Sequence, residues 1–212
     1  MAYILGFFAA DGSMIKNKRG GYYIEFSITD EIILKHIKRV TGSRHKIAVR
    51  SNRKESHKKL FRLQIGSREW FEDLSQLGFT QGKSKTLQFP VIPKLYISDL
   101  VRGYFDGDGC VYFKKLKFAD RKKLRAVLMT LFTSGSLSFL QNLHGILRSK
   151  GIVGGSVKSK KRGFELTFSH KDSLALYHFL YNTVPATDLY LPRKYRLFKK
   201  AIRVLYPDAV VA

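Results

Sequence analysis

The sequence predicts an α+β protein built from two tandem copies of one αββαββα unit. The copies are related by a pseudo-twofold, and each carries an antiparallel sheet with helices packed on one side. Three observations predict this fold. A short apolar helix pattern ending in Asp-Gly occurs twice, further landmarks recur after it in the same order, and apolar and polar residues alternate along the intervening strands.

The first landmark is Ile4-Leu5-Gly6-Phe7-Phe8-Ala9-Ala10-Asp11-Gly12, answered by Val101-Arg102-Gly103-Tyr104-Phe105-Asp106-Gly107-Asp108-Gly109 at an offset of 97 residues from Asp11 to Asp108. Phe26-Ser27 then precedes an apolar-periodic stretch from Ile32 to Val40, as Phe132-Thr133 precedes Leu137 to Leu147. Phe61 to Ile65 with Trp70, Phe71 and Leu74 behind it parallels Phe164 to Phe168 with Leu174, Leu176, Phe179 and Leu180. Last, Gly82-Lys83-Ser84-Lys85 answers to Arg193-Lys194-Tyr195-Arg196. The halves are therefore expected over 1–89 and 99–212. Residues 90–98 join them, with Pro90 and Pro93 disfavouring helix at the start of the linker.

Within the strands, Tyr22, Ile24, Phe26 and Ile28 alternate with Tyr23, Glu25 and Ser27, and Phe61, Leu63 and Ile65 alternate with Arg62 and Gln64. One face is apolar and takes the helices; the other is polar. In the second copy Phe164, Leu166 and Phe168 alternate with Glu165 and Thr167, whereas Val127 to Phe132 is almost wholly apolar and leaves its facing open.

Hydrophobic residues make up 44% of the 212, enough for a packed core, so disorder is excluded as the ground state. Against that core stand 39 Lys and Arg and only 16 Asp and Glu, a net charge of +23. Self-repulsion of that size persists where a polyanion neutralises it, which makes nucleic acid the first partner to consider. The single Cys110 excludes an internal disulfide, and no Cys/His cluster offers a zinc site. The apolar run from Ala2 to Ala10 lacks a basic leader and ends in Asp11, so it fits neither a signal peptide nor a span of about 20 residues. No membrane partner is expected, and the protein is expected inside the cell, in the cytoplasm or nucleoid or in an organelle.

The positive charge gathers on the polar strand faces and their hairpins. The first copy offers Lys16, Lys18, Arg19, Lys46, Arg50, Arg53 and Arg62, with Tyr23, Ser27 and Gln64 beside them. The second offers Lys114, Lys117, Lys158, Lys160 and Arg162, with Thr133 and Thr167. Basic residues on strands suggest a sheet laid in a DNA groove rather than a recognition helix.

In each motif the small residues lie four apart, Gly6 with Ala10 and Gly103 with Gly107, so each helix presents a shallow face along which the two can cross. Crossing would bring Asp11 and Asp108 together at two helix C-termini, where each carboxylate and the negative ends of both helices call for a cation. A hard divalent ion with oxygen ligands suits that site: Mg²⁺ first, with Mn²⁺ or Ca²⁺ able to substitute in binding. It would be held by Asp11 and Asp108 together with the main-chain carbonyls of Ala10 and Gly107. A metal shared between these acids and a DNA phosphate supports metal-assisted hydrolysis. Serine or cysteine nucleophilic chemistry has no repeated arrangement behind it.

The two segments resemble the LAGLIDADG motif, and the chain from about residue 2 to 206 is similar to the LAGLIDADG homing endonucleases of the single-chain, two-motif type. That resemblance implies sheets saddling a long DNA site in the major groove and double-strand cleavage by a monomer with divalent metal. Carried over by position, the last acid of each motif is Asp11 and Asp108, the family's metal-binding catalytic pair. The earlier motif acid is present as Asp106 but replaced by Ala9 in the first copy. Ser27 and Thr133 stand as the polar residues near each centre, and Lys83 and Lys194 as the basic ones. The resemblance also implies an intron-encoded origin, an intein setting being disfavoured by the chain's length and its lack of a terminal His-Asn. Two rival functions share this fold: a cleavage-inactive DNA-binding regulator, which the retained acids oppose, and an intron-RNA maturase, for which the basic strands would serve as well.

Overall fold

Gly6 and Gly103 decide how the molecule is assembled. A Cβ built on Gly6 would lie 1.9 Å from the carbonyl oxygen of Leu100, and one on Gly103 1.9 Å from that of Tyr3. The two motif helices, α1 (Ala2–Asp11) and the later Ile97–Asp108, therefore cross backbone against backbone, closer than any side chain allows. The computed structural model describes residues 1–50, 59–117, 119, 123–182 and 189–207.

The first half continues from α1 through β1 (Gly12–Lys16), β2 (Tyr22–Ile28), α2 (Glu31–Val40), β3 (Ile47–Arg50), β4 (Leu60–Gly66) and α3 (Arg68–Gln76). The second opens with α4 (Ile97–Asp108) and runs through β5 (Gly109–Leu116), β6 (Arg125–Ser134), α5 (Leu137–Ser149), β7 (Ser156–Lys160), β8 (Gly163–Ser169) and α6 (His170–Tyr181) to α7 (Pro192–Leu205). The sheets are antiparallel and four-stranded, ordered β1-β2-β4-β3 and β5-β6-β8-β7, so the predicted duplication is present strand for strand. Local signals set several ends: the Ser67 and Ser136 side chains accept from Trp70 N and Phe139 N and cap α3 and α5. Within the joining residues 90–98, α4 already begins at Ile97. Pro93 ends the extended part, and a turn over Lys94–Tyr96 feeds straight into the helix.

Register fixes which residues share a face. In the first sheet Tyr23, Glu25 and Ser27 align with Gly66, Gln64 and Arg62, while Ile24, Phe26 and Ile28 turn to the helices and are buried. The undecided strand β6 resolves the same way: Leu128, Thr130 and Phe132 are fully buried, and Met129, Leu131 and Thr133 lie on the opposite face. Thr130 tolerates burial because its hydroxyl meets Ser173 Oγ at 3.0 Å. One continuous core joins the two halves, with Phe7, Phe8 and Phe26 at one end and Phe105, Phe132 and Phe198 at the other. Further ties cross between halves, including Phe89 stacked on Phe139, with centroids 5.7 Å apart, and Arg193 Nε donating to Asp30 at 2.8 Å.

Candidate active site between the motif helices

Asp11 and Asp108 are the last residues of α1 and α4, and Gly12 and Gly109 take each chain directly into a strand. The acids come together because the glycine faces do. A Cβ on Gly107 would sit 2.4 Å from that of Ala10 and 3.2 Å from Asp11 Oδ2, so the first acid lies against the residue preceding the second. Among the described residues neither carboxylate takes part in an ion pair within its own half. Burial, and next the charge of Asp108, push Asp11 up to about 6, and burial raises Asp108 as well.

Two lysines complete the site. Lys83, in a turn over Lys83–Lys85, is buried and donates to the carbonyl of Gly12 at 2.5 Å. Lys194, in the first turn of α7, donates to Phe105 O, Asp106 O and Gly109 O at 2.6, 2.8 and 2.5 Å. Each ammonium also lies over the aromatic ring of its own motif, Phe8 or Phe105, at 5.3 and 5.2 Å. Burial lowers both to about 8, against the nearby acids, so both are largely charged at neutral pH.

The arrangement fits a divalent cation. Two half-enclosed acids, both raised by burial and Asp11 also by Asp108, form an oxygen site whose negative charge Lys83 and Lys194 offset only in part. Among the described residues no cluster of three His, Cys, Asp or Glu occurs, so the remaining ligands would be carbonyl, water and phosphate oxygens.

The residues expected to face DNA lie mostly on the polar sheet faces and at strand ends and hairpins. Tyr23, Ser27, Arg62 and Gln64 share the polar face of the first sheet. In the second sheet register sets Lys158 against Glu165 and Lys160 against Gly163, and puts Thr133, Thr167 and Lys114 on the same side. Thr133 Oγ1 donates to Asp108 O at 3.0 Å, holding the motif's end, whereas Ser27 Oγ turns to Glu25. Lys18 and Arg19 project from the β1–β2 hairpin, whose turn is closed by Asn17 Oδ1 accepting from Arg19 N and Gly21 N. Lys117 and Arg162 are exposed at strand ends, and Lys46 is exposed just before β3. Lys16 departs from expectation: it pairs with Tyr22, in the set turned toward the helices, and its ammonium lies 5.2 Å from that ring's centre. Strand period, not charge, decides its side. Arg53 and the Arg50 side chain lie outside the described residues.

A cleft of about 470 Å³ opens beside Asp108, lined by Thr133, Ser134, Lys160, Lys161 and Arg162 among others. Sequence reasoning missed the acids inside the basic faces. Glu25 accepts from Gln64 Nε2 at 3.0 Å and stands 3.6 Å from Arg62, and Glu165 pairs with Lys160 and accepts from Thr167. The alternation had put both glutamates on the polar faces; what it lacked was the cross-strand register.

A family model described as a LAGLIDADG-like domain matches residues 1–77. Solved structures match nearly the whole chain. The LAGLIDADG homing endonuclease I-SmaMI bound to cleaved DNA aligns over 99% of this chain and 91% of its own at a TM-score of 0.63 and 14% identity. The fold is that of the LAGLIDADG homing endonucleases. The LAGLIDADG meganuclease I-AabMI, bound to uncleaved DNA, aligns over 98% and 91% at a TM-score of 0.65, again with 14% identity. I-SmaMI has also been seen on uncleaved DNA with calcium ions, at a TM-score of 0.63. Two curated proteins of Methanocaldococcus jannaschii are similar over part of their length. The RNA polymerase subunit Rpo1C is 28% identical over 170 residues, 80% of this chain and 18% of that protein; reverse gyrase is 36% identical over 100 residues, 47% and 6%. The chain thus spans under a fifth of the length of either relative.

Proposed function

We propose that this chain is a monomeric, site-specific DNA endonuclease that cuts both strands of its target, with Mg²⁺ as its divalent metal inside the cell. The observation that carries the reading is the pairing of Asp11 and Asp108, one from each half, at the end of two helices in backbone contact, with a buried lysine at each motif. A non-catalytic sheet binder has little use for two destabilised acids there.

Asp11 and Asp108, with the carbonyls of Ala10 and Gly107, would hold the metal, whose chemistry when bound is to polarise the scissile phosphate and lower the pKa of a bound water. Lys83 and Lys194 clasp the carbonyls at the motif ends and set a positive charge beside each acid, where it offsets negative charge that develops on the phosphoryl oxygens. The two polar faces supply the grip. Lys18, Arg19, Lys114, Lys117, Lys160 and Arg162 suit phosphates, and Arg62, Gln64 and Lys158 suit base edges, with Glu25 fixing the first two in position. Affinity should fall steeply with salt, and bending of the uncontacted centre should add selectivity.

Two relatives with different names are each similar to this chain over a small part of their own length. That is the trace an inserted mobile element leaves, and it favours insertion within host proteins beside the intron setting expected from sequence. RNA as a partner draws no support from these comparisons. The test is a cleavage selection on a randomised DNA library with Mg²⁺, run beside Asp11→Asn and Asp108→Asn. Specific double-strand products lost in either variant, with binding kept, support the endonuclease; binding to a selected site without any cutting supports the regulator.

A further inference from the structure

The two halves secure their lysines differently. Among the described residues Lys83 has one carbonyl acceptor and sits in a single turn; Lys194 has three and sits near the start of a 14-residue helix. The start of that helix is itself tied to the second motif. Asp106 Oδ2 accepts from Leu191 N, immediately before α7, at 2.8 Å, and from the Tyr3 hydroxyl of the first half, also at 2.8 Å. Leu191 O in turn accepts from Lys194 N at 3.0 Å. Asp106 is wholly buried and Tyr3 is 2% exposed.

Burying a carboxylate is costly unless several groups meet it. Here a helix N-terminal N–H and a tyrosine hydroxyl meet one oxygen, while among the described residues Oδ1 has no hydrogen-bond partner, so hydrogen bonding compensates the charge only in part. The motif helix does not need an acid at this place: the first copy has Ala9 there, buried in the same core. A group that is expensive and dispensable to the helix, yet sits one residue from the start of α7, has its purpose at Lys194.

We propose that Asp106, held from the first half by Tyr3, is a positioning residue that fixes Lys194 at the second motif, so the two DNA strands meet centres of unequal preorganisation. This rests on the endonuclease reading only for its effect on cutting; the placement of Lys194 is a property of the free protein.

The experiment uses the full chain, a supercoiled plasmid carrying a site recovered with Mg²⁺, and strand-specific end labelling. Lys194→Met identifies the strand that depends on this lysine. Asp106→Ala, which reproduces the first copy, is expected to slow that strand about 10²-fold, the scale of a small misplacement of a reacting group, so nicked circles accumulate. Asp106→Asn, whose amide oxygen can still accept from Leu191 N and Tyr3, recovers much of the rate. Tyr3→Phe acts in the same direction more weakly and serves should Asp106→Ala not fold. In a Lys194→Met background Asp106→Ala adds nothing. Equal slowing of both strands, or an additive loss in the double variant, overturns the proposal. A second measurement needs no cutting: acetic anhydride labelling of metal-free protein, read by mass spectrometry, should show Lys194 modified severalfold faster in Asp106→Ala, with Lys83 unchanged. An unchanged ratio overturns the positioning role whatever the nuclease assay shows. A raised ratio in a chain that cuts no DNA keeps it and removes the endonuclease reading instead.

Discussion

In the first half the chain that follows α3 returns to its motif as a three-residue turn; in the second, the chain beyond α6 returns as the long helix α7. Both routes end with a lysine ammonium on the carbonyl of the glycine after the motif, Gly12 or Gly109. Tandem copies that have diverged in backbone while keeping the charge in one place show that the constraint acts on the ammonium's position, not on the element carrying it. The surrounding support has diverged too, with Asp106 and Arg102 in the second motif standing where the first has Ala9 and Leu5. Arg102 is fully buried and donates to Leu189 O and Leu180 O, pinning the chain on both sides of the approach to α7.

The largest effect tests what the halves share. Gly6→Leu and Gly103→Leu should each cost more than about 4 kcal/mol, since the added atoms collide with facing backbone, and thermal melts should fall alike. Unequal losses would show that the crossing is not symmetric in energy.

Next come the acids. Asp11→Asn and Asp108→Asn should each reduce cutting of both strands to background while stabilising the metal-free protein at pH 7. The sign follows from the raised Asp11. Its folded value of about 6 lies above the 3.8 of an unperturbed carboxyl, so folded protein binds the proton more tightly and this penalty is present in full above pH 6. It is relieved as pH falls from 6 toward 4. The melting-temperature gain of Asp11→Asn over the parent should therefore be largest above pH 6 and vanish near pH 4, and Mg²⁺ should stabilise the parent more at pH 7 than at pH 5.

The lysines separate the halves. Lys83→Met and Lys194→Met should each slow one strand by about 10²- to 10⁴-fold, the span for loss of a positioned acid–base or charge-stabilising group, and the strands affected should differ. Slowing of the same strand by both would break the assignment of one lysine to each centre.

The smallest effects lie on the sheets. Arg62→Ala should cost about 1–3 kcal/mol and relax preference at one base pair, whereas Lys114→Ala should weaken all sites alike and lower the salt slope by about 1. Both are read from binding isotherms across salt concentrations. Glu25→Gln should act like a mild Arg62→Ala, since Glu25 holds both Arg62 and Gln64.

Much of this was visible in the residues. The repeat, the strand facing at Ile24 and Leu63, the crossing at Gly6 and Gly103 and the meeting of Asp11 with Asp108 follow from period and from small residues four apart, because those patterns are local and read along the chain. Lys83 and Lys194 were found by their place in the repeat, although nothing local says that one lies in a turn and the other in a helix. Lys16 was misplaced because a basic residue at a strand end was assigned by charge, and the register with Tyr22 turns it toward the helices.

Sequence alone determined the duplicated α+β plan, the basic sheets and the acid pair, since each is written in spacing that any fold of this chain must satisfy. Tertiary structure alone decided what the buried polar groups do. Tyr3 and Asp106 lie 103 residues apart, and Arg102 meets Leu189 across 87. Partners so distant are chosen by which helix ends pack together, and a buried carboxylate takes its meaning from the few donors that packing brings within reach.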